Sequence, residues 1–448
     1  MGVPSPGTGH ADTQMSSPPN GSPSVRGTRR GTAPIRAGRV RHLRIGVRAL
    51  SPVAAPMRLR TVFAAVRAAR RDENRCQVFA DALAVSLEGA RCIPVSSGRA
   101  ALAIILMALR EGHDPGRDEV VIPAYTCFSV PSAIVRAGLK VMPCDIDPQH
   151  LDYDQSMLPK VVSSRTLCIV PTHLFGFPAR MDLARELASA HGAHVVEDAA
   201  QSLGANLDGR PVAALGDVGF LSLGRGKPLA AIDGGVIVVP RGSPFEARLR
   251  HRADTLARPQ PVPGRILAKA MAYAVCLAPH RFGIAARMPF VRLGESTFSP
   301  VFEIAGLSAF QAALATAMLD QLPVVTQMRR ANASVLLSAL CDLPSLEPVE
   351  PVKGAEPVYL RLPIRASRPA LRDWVHDRLA AHRLGASRMY PSAIPEIPQL
   401  SAHLATGAPP CPEAERLARS IVTLPTHPLV EPRDLEDIVE CLTPTGLR

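Results

Sequence analysis

The sequence predicts an α/β protein built on a mainly parallel sheet. Seven short β-rich runs follow one another between residues 91 and 239, and several are almost entirely apolar, as strands covered on both faces should be. Amphipathic helical stretches such as Ala179–His191 lie between some of the runs, and strands that alternate with helices form parallel sheets. The predicted strands are Arg91–Ser96, Glu119–Tyr125, Lys140–Ile146, Thr166–His173, His194–Ala200, Val218–Leu223 and Gly234–Val239.

Three regions are predicted along the chain. Residues 1–56 are rich in Gly, Pro, Ser and Arg without apolar periodicity, which predicts a disordered basic leader, and Met57 is an alternative start because helical sequence begins just after it. Residues 57–300 form the predicted large domain, with an extended, less regular segment at 241–300. Residues 301–448 are predicted to hold two linking helices and a smaller C-terminal α/β domain. The predicted elements there are helices Phe302–Leu322, Val324–Leu340, Arg368–His382 and Arg433–Cys441, and strand Val358–Ile364.

Composition excludes several classes of protein. The chain has 448 residues, of which 47% are hydrophobic and 20% charged, and its mean hydropathy is +0.10. These values permit hydrophobic cores and exclude a wholly disordered chain, a collagen and a coiled-coil rod. The longest apolar runs have ten residues each, against the roughly 20 that a bilayer-spanning helix needs, so no transmembrane helix is expected.

Cysteine usage and charge predict a cytoplasmic protein that does not act on nucleic acid. The nine cysteines are scattered without a Cys-x-x-Cys pair, which argues against a disulfide scaffold and against a zinc ribbon, and no metal site is predicted. The formal net charge is +12, but residues 1–56 alone contain eight Arg and one Asp, so most of the charge belongs to the leader. Nucleic-acid binding by that basic leader is the alternative.

The first candidate site is an anion cradle after the first predicted strand. Ser97, Gly98 and Arg99 end that strand and begin an apolar helix, whose free backbone N–H groups and positive end suit a phosphate. Ordinary helix capping by Ser97 is the alternative. The Arg99 side chain either adds a charged contact or faces solvent.

Two more candidate groups follow later strands. Asp198 ends an apolar strand, where a partly buried carboxylate requires a cationic partner, and capping of a following helix is the alternative. Ser222 ends another strand, and Lys227 lies five residues later in a loop bracketed by glycines. A lysine held in a pocket loses its proton more readily and can serve as an amine nucleophile, whereas an isolated loop lysine is normally a solvated surface residue.

The cradle, Asp198 and Lys227 together are the set that a pyridoxal phosphate enzyme needs. The helix N-terminus suits the phosphate, the carboxylate the pyridine nitrogen, and the lysine the aldehyde. Their order and surroundings resemble the DegT/DnrJ/EryC1/StrS family of sugar aminotransferases, which have fold type I. The resemblance covers roughly residues 77–442 and is carried by Ser97-Gly98, Ile122–Thr126, Thr172–Gly176, Glu197–Gln201, Gly216–Gly219, Gly234-Gly235, Leu307-Ser308, Gln311–Ala313 and Leu424–Pro428, together with Ser222 and Lys227.

The resemblance implies roles for the matching residues. As catalytic groups, Lys227 would bind the cofactor aldehyde and later move a proton at the substrate carbon, while Asp198 would keep the pyridine nitrogen protonated. Further cofactor contacts are implied for Ser97, Gly98, Arg99 and Ser222 at the phosphate, Gln201 at the phenolic oxygen, and Phe128 stacked on the ring. Cys127 occupies the position expected for that aromatic residue, and Phe128 follows it.

Substrate contacts are the least defined part of the predicted site. His173 and Tyr390 are expected near the substrate, and a place in the core is the alternative for His173. The family's Asn and Arg before the Gln-Ala-Ala helix are replaced by Ile304 and Gly306, and its His before Tyr-Pro by Met389. These departures put the contact to the neighbouring subunit's phosphate in doubt and allow a substrate other than the common nucleotide sugar.

The stretch Arg265–Arg292 is longer than in the family. One helical face could carry Leu267, Met271, Ala274 and Leu277 among several basic residues, so weak peripheral contact with the inner membrane face through 265–292 is one hypothesis. Packing of that face on the domain or at a subunit interface is the alternative.

The predicted function is transfer of an amino group from an amino acid, expected to be L-glutamate, to a nucleotide- or lipid-linked keto-sugar. The resemblance further implies a homodimer with shared active sites and a place in polysaccharide or glycoconjugate biosynthesis. The alternative is a pyridoxal phosphate-binding protein that does not transaminate and serves regulation or assembly.

Overall fold

The fold is built from helices and strands that alternate along the chain. A computed structural model describes residues 1–2, 48–72, 74–111, 114–256, 264–285 and 297–443. The strands are β1 (Arg91–Val95), β2 (Glu119–Pro123), β3 (Lys140–Cys144), β4 (Ile146–Asp147), β5 (Asp152–Tyr153), β6 (Thr166–Ile169), β7 (His194–Asp198), β8 (Asn206–Leu207), β9 (Arg210–Pro211), β10 (Val218–Ser222), β11 (Gly235–Val239), β12 (Leu346–Pro348), β13 (Ala355–Glu356), β14 (Leu362–Ala366) and β15 (Ile421–Leu424).

The helices flank these strands. They are α1 (Leu59–Arg71), α2 (Arg75–Val85), α3 (Gly98–Arg110), α4 (Ser129–Arg136), α5 (Leu158–Val161), α6 (Asp182–His191), α7 (Glu246–Leu256), α8 (Gly264–Cys276), α9 (Pro279–Ala285), α10 (Ala309–Leu319), α11 (Leu322–Leu340), α12 (Pro369–Ala381), α13 (Pro412–Ser420) and α14 (Pro432–Leu442). Short 3₁₀ helices occur at Leu174–Gly176, Ile394–Glu396 and Pro398–His403.

The seven predicted strands form one central sheet in the order β1-β11-β10-β7-β6-β2-β3. Neighbours from β10 to β3 are parallel, and β11 is antiparallel to both β1 and β10. The prediction of a mainly parallel seven-stranded sheet is therefore confirmed. Since β10, β7, β6 and β2 run in the same direction, their carboxyl ends, and the polar residues that follow them, lie along one edge.

Both faces of this sheet are buried, as the apolar runs predicted. Within β2, Val121 belongs to one hydrophobic cluster, whereas Val120 and Ile122 belong to a second cluster on the other face. Helix α3, with ten buried residues, covers the second face, and α1, α2 and α10 pack together on the first. Burial on both faces explains why these strands are nearly continuous apolar runs rather than alternating ones.

A second, smaller sheet lies in the C-terminal part of the chain. It has the order β12-β14-β15, is antiparallel, and has its own apolar cluster shared with α12 and α14. The smaller α/β layer is thus present, but its middle strand begins at Leu362, four residues later than predicted. Strand β13 pairs with β8, so this region is also joined to the first by backbone hydrogen bonds, and the described residues from 48 to 443 form one compact unit.

The predicted helix Phe302–Leu322 begins later than its apolar pattern indicated. Helix α10 starts at Ala309, where Ser308 and Gln311 form a reciprocal capping box. The preceding residues are instead held alongside the end of β1, because Ala305 accepts from the N–H of Ser96 at 2.7 Å and donates to its Oγ at 3.1 Å. Conversely, residues 241–300, predicted to be less regular, contain α7, α8 and α9, of which α8 lies where a helical face was hypothesised.

The predicted leader extends too far into the fold. Residues 3–47 lie outside the described part of the chain, but residues 48–56 are packed, with Leu50 and Ala54 buried. The N–H of Ala49 donates to Pro279 O at 2.8 Å, and the N–H of Ala55 donates to the Tyr273 hydroxyl at 3.2 Å. This segment was misassigned because its local composition is loop-like, while its burial depends on partners more than 200 residues away.

The apolar face of Arg265–Arg292 packs on the protein. Leu267, Met271 and Ala274 lie against the first hydrophobic cluster, and Leu277 is buried within it. Over the described residues 264–285, these side chains therefore serve core packing rather than the hypothesised membrane contact; residues 286–292 lie outside the described part. None of the described helices is both long enough and apolar enough to cross a bilayer.

His427 links the N-terminal segment to the core and makes stability depend on pH. The ring is fully buried, its Nε2–H donates to Ser51 O at 2.8 Å, and burial lowers the pKa of His427 from 6.5 to about 3. The unfolded chain therefore binds a proton near pH 6.5 that the folded chain binds only near pH 3. Stability from the neutral ring is complete above pH 6.5 and is lost as the pH falls towards 3.

We expect His427→Gln to flatten this pH dependence. In urea unfolding at a series of pH values, the free energy of unfolding of the parent should fall more steeply below pH 6.5 than that of the variant, by up to about 1.4 kcal/mol per pH unit. The test compares how steeply the free energy of unfolding changes with pH in the two proteins, because the variant also loses packing at every pH. Parallel slopes would show that His427 titrates alike in the folded and unfolded chains.

Candidate active site

The loop after β10 presents Lys227. Leu223 N–H donates to Gly234 O at 2.8 Å, and Lys227 N–H donates to Gly224 O at 3.1 Å, which closes a tight turn. Gly226 has a φ of +77°, and a Cβ there would lie 2.5 Å from Cγ1 of Val53, so only glycine fits. The loop is therefore held from outside by the N-terminal segment.

Lys227 lies in an environment that favours the neutral amine. Its pKa is lowered by burial and by the nearby Arg361 cation, while Cys127 and Asp198 act in the opposite direction. The side chain is half-buried rather than solvated, so the surface-lysine alternative does not hold. An amine that gives up its proton more readily is a better nucleophile towards a carbonyl.

Asp198 lies at the carboxyl end of β7, buried and facing Lys227. Burial raises the pKa of Asp198, opposed by the Ala200 N–H, which donates to Oδ1 at 3.0 Å, and by the charge of Lys227. Residues 200–204 form turns rather than a helix, so the helix-capping alternative is wrong. The Asp198 carboxylate therefore has a nearby cation, Lys227, which offsets the cost of burying it.

The predicted cradle is formed where α3, β10 and β11 meet. Ser97 caps α3 by accepting from Ala100 N–H at 3.1 Å. A Cβ on Gly98 would lie 3.1 Å from Cβ of Ser222, and one on Gly235 would lie 2.4 Å from the backbone of Ser97. Glycine at both positions lets the first turn of α3 approach Ser222, which brings the free N–H groups of that turn close to the Ser222 hydroxyl.

The side chain of Arg99 does not extend freely from this cradle. Its guanidinium stacks over the ring of Phe302, 5.1 Å from the ring centroid. Only the backbone of Arg99 therefore belongs to the cradle itself.

Gln201, Tyr390 and Phe128 form one buried group. Gln201 Nε2 donates to the Tyr390 hydroxyl at 3.1 Å, and the Phe128 ring stacks on the Tyr390 ring at 6.1 Å. Tyr125 packs edge-on against the same ring at 5.5 Å. Cys127 lies close enough to Lys227 to act on its charge, so both residues weighed for the stacking position lie in the site.

His173 is occupied by structural partners. Its Nδ1 accepts the Ala179 N–H at 2.9 Å, so Nε2 carries the proton and donates to Glu197 at 3.0 Å. The ring is fully buried, as is Glu197, which also accepts backbone N–H groups of Ala213, Leu215 and Gly216. Both ring nitrogens are engaged within the core, which favours the core alternative over a substrate contact.

Sequence reasoning missed Arg361. The side chain is 4% exposed, and its charge acts on Lys227 and Tyr125. A single charged residue within the apolar run from Val358 to Ile364 was the available signal, because such a residue is costly to bury unless it has a purpose.

Comparison with known proteins identifies the family. The model of the DegT/DnrJ/EryC1/StrS aminotransferase family matches residues 62–254 and 301–443. The chain belongs to this family. The resemblance found in the motifs is thus confirmed, and the protein is an aminotransferase.

Individual relatives support the same assignment. The dTDP-3-amino-3,4,6-trideoxy-alpha-D-glucose transaminase of Streptomyces venezuelae is 30% identical over 79% of this chain and 82% of that protein. The L-glutamine:2-deoxy-scyllo-inosose aminotransferase of Streptomyces paromomycinus is 32% identical, and its match covers 62% of this chain and 58% of that protein. The solved structure of S. venezuelae DesV with a ketimine intermediate is 27% identical, covers 86% of this chain and 93% of that one, and has a TM-score of 0.67.

The family match leaves out residues 255–300 and everything before residue 62. The described parts of those two regions pack against each other through the Ala49–Pro279 and Ala55–Tyr273 hydrogen bonds. The aminotransferase core therefore carries an additional layer, which reaches the Lys227 loop through Val53.

Proposed function

We propose that this aminotransferase depends on pyridoxal phosphate and moves an amino group from an amino acid to a keto-sugar. The observation that carries the proposal is the meeting of Lys227, Asp198 and the Gly98–Ser222 cradle at the carboxyl edge of the sheet. These groups fit the cofactor, because glycine at residue 98 lets the N–H groups that begin α3 lie next to the Ser222 side chain, where a phosphate could accept from both.

Each residue has a part in the proposed mechanism. Bound pyridoxal phosphate supplies an electron sink that weakens the bonds at the donor's α-carbon. Lys227 would hold the aldehyde group through its Nζ, and the same Nζ would move the proton at the donor's α-carbon. Asp198 would keep the pyridine nitrogen protonated.

The remaining cofactor contacts belong to the same proposal. The backbone N–H groups of Gly98 and Arg99 and the Ser222 hydroxyl would bind the phosphate, with Ser97 fixing the first turn. Gln201 and Phe128, which both contact Tyr390, would hold the ring.

The substrate class rests on the relatives. Their names identify a dTDP-amino-sugar transaminase and a glutamine-dependent aminotransferase of a cyclic ketone, so L-glutamate and L-glutamine are both donors to test. A homodimer with shared active sites, a cytoplasmic location and a role in polysaccharide or glycoconjugate synthesis are parts of the same proposal. Gly306 pairs with Val95, so the departures from the family at Ile304 and Gly306 lie close to the proposed phosphate site.

The test is spectroscopic. The full chain loaded with pyridoxal phosphate should show a visible absorption band that L-glutamate or L-glutamine bleaches and that a suitable keto-sugar restores. A band that no amino donor alters would support the non-transaminating alternative, and failure to retain the cofactor would refute the assignment of the site.

We expect Gly98→Ala to weaken cofactor binding at least about tenfold, because the new methyl group enters the cradle 3.1 Å from Ser222. The cofactor dissociation constant, measured by absorbance titration, checks this. Gly264→Ala is the matched control, because Gly264 also begins a helix and has no atom within 4 Å of its added Cβ. Equal affinities in the two variants would contradict the cradle.

A further inference from the structure

Arg361 is a buried cation with no anionic partner among the described residues. The side chain is 4% exposed, and its Nη1 has no hydrogen-bond partner among the described residues. Burial lowers the pKa of Arg361 to about 10, so the side chain still carries its charge at neutral pH. A guanidinium left in this state is costly, which indicates that its partner is a ligand.

The groups around Arg361 place it in the candidate active site. Its charge interacts with the hydroxyls of Tyr125 and Tyr390 and with Lys227. It also acts on Arg329 and His427, and neither of these is an anion. In the described part of the chain, Asp198 is the carboxylate that acts on Lys227, and none acts on Arg361.

The backbone that carries Arg361 is held in place. Tyr359 O accepts from the Thr426 hydroxyl at 2.5 Å, and Leu360 O accepts from Arg329 Nη1 at 2.8 Å. Tyr359 itself has a φ of +46°, an uncommon conformation for a tyrosine that these bonds maintain. Arg361 is therefore presented to the site from a fixed position just before β14.

The chemistry of the site selects the kind of anion. A phosphate already has the Gly98–Ser222 cradle, whereas the planar guanidinium fork matches a carboxylate. Every amino-acid donor has a carboxylate on the carbon that bears its amino group, and that amino group must reach the position of Lys227. A carboxylate bound by Arg361 would lie beside that position.

We propose that Arg361 binds the α-carboxylate of the amino-acid donor and so selects α-amino acids over simple amines. This assignment rests on the proposed function. It also accounts for the retention of an otherwise unpaired charge in an apolar stretch of the chain.

The experiment compares Arg361→Leu, Arg361→Lys and the parent as holoenzymes. The probe is glutarate, which has carboxylates but no amino group, and its dissociation constant is measured by the visible absorption change and by calorimetry. Arg361→Leu should raise the dissociation constant of glutarate by about tenfold to hundredfold. It should raise by a similar factor the L-glutamate concentration that half-saturates single-turnover bleaching. The glutarate affinity of Arg361→Lys should lie between those of the parent and Arg361→Leu, because lysine keeps the charge but lacks the two parallel N–H donors of the guanidinium.

Two controls separate binding from structure. Arg365→Leu removes a surface arginine of β14 that pairs with Glu347, and it should leave glutarate affinity unchanged. Arg361→Leu should melt at or above the parent temperature, because it replaces an unpaired buried cation by an apolar side chain.

Unchanged affinities for glutarate and L-glutamate in Arg361→Leu would overturn the assignment. The assignment would also be overturned if Arg361→Leu lowered only the affinity for pyridoxal phosphate or only the affinity for the keto-sugar. The anion bound by Arg361 would then belong to the cofactor or to the sugar, respectively. If glutarate binding requires Arg361 but no amino donor bleaches the parent, the proposed function fails while the carboxylate site stands.

Discussion

Lys227→Ala should abolish transamination, lowering the rate by about 10⁴-fold or more. The lysine has two roles in the proposed mechanism, holding the aldehyde carbon and moving the proton at the α-carbon, and the removal of general acid–base catalysis alone costs up to about 10⁴-fold. Cofactor would still enter the cradle, because Gly98 and Ser222 are unchanged. The visible band of the lysine-bound cofactor should be missing, and amino transfer should be measured in single-turnover mixing.

Lys353→Ala is the control for this variant. Lys353 is an exposed lysine, so its removal changes the net charge equally without touching the site. A Lys227→Ala protein with parent-like turnover and an unchanged band would show that another amine holds the cofactor. In the described part of the chain, no other lysine lies at the carboxyl edge of the sheet near Asp198.

A chain that starts at Met57 should be much less stable than one that starts at Arg48. The shorter chain loses the bidentate ion pair between Arg48 and Asp434, whose N–O distances are 2.6 and 3.3 Å. The Asp434 side chain in this pair is only 1% exposed. It also loses the Ala54 carbonyl that accepts from buried Arg329 at 2.7 Å. Loss of a buried pair and of a charged hydrogen bond together costs about 5 kcal/mol or more.

Urea unfolding of the two truncated chains measures this difference. The chain that starts at Arg48 is the matched control, since it keeps every described contact of residues 48–56. The shorter chain should also retain cofactor less tightly, because Val53 no longer covers Gly226 in the Lys227 loop. Equal midpoints and equal cofactor retention would mean that the segment is a dispensable attachment.

The central sheet could be predicted closely from sequence, for a local reason. Strands such as Val218–Ser222 and Gly235–Val239 are covered on both faces, so nearly every residue must be apolar, and that requirement is visible in a five-residue run. Ser222, Lys227 and Asp198 could also be singled out from the sequence, because ligand-binding groups in such sheets follow the carboxyl ends of strands.

Other elements were mispredicted because their partners are far away in the sequence. The pattern after Phe302 is apolar enough for a helix, yet hydrogen bonds between Ala305 and Ser96 hold this stretch extended until Ser308 caps α10. Likewise, the helical face of Leu267 and Met271 could not be assigned to a membrane or to the core until its packing partners were known.

The sequence by itself determined the succession of strands along the chain and the family resemblance, and it named the candidate cofactor-binding groups, because periodicity and short motifs encode local structure and the residues next to strand ends. Only the tertiary structure decided that residues 48–56 belong to the fold, that both nitrogens of His173 are engaged, and that Arg361 lies beside Lys227. Arg361 and Lys227 are 134 positions apart, and no local pattern records which distant side chains share one buried space.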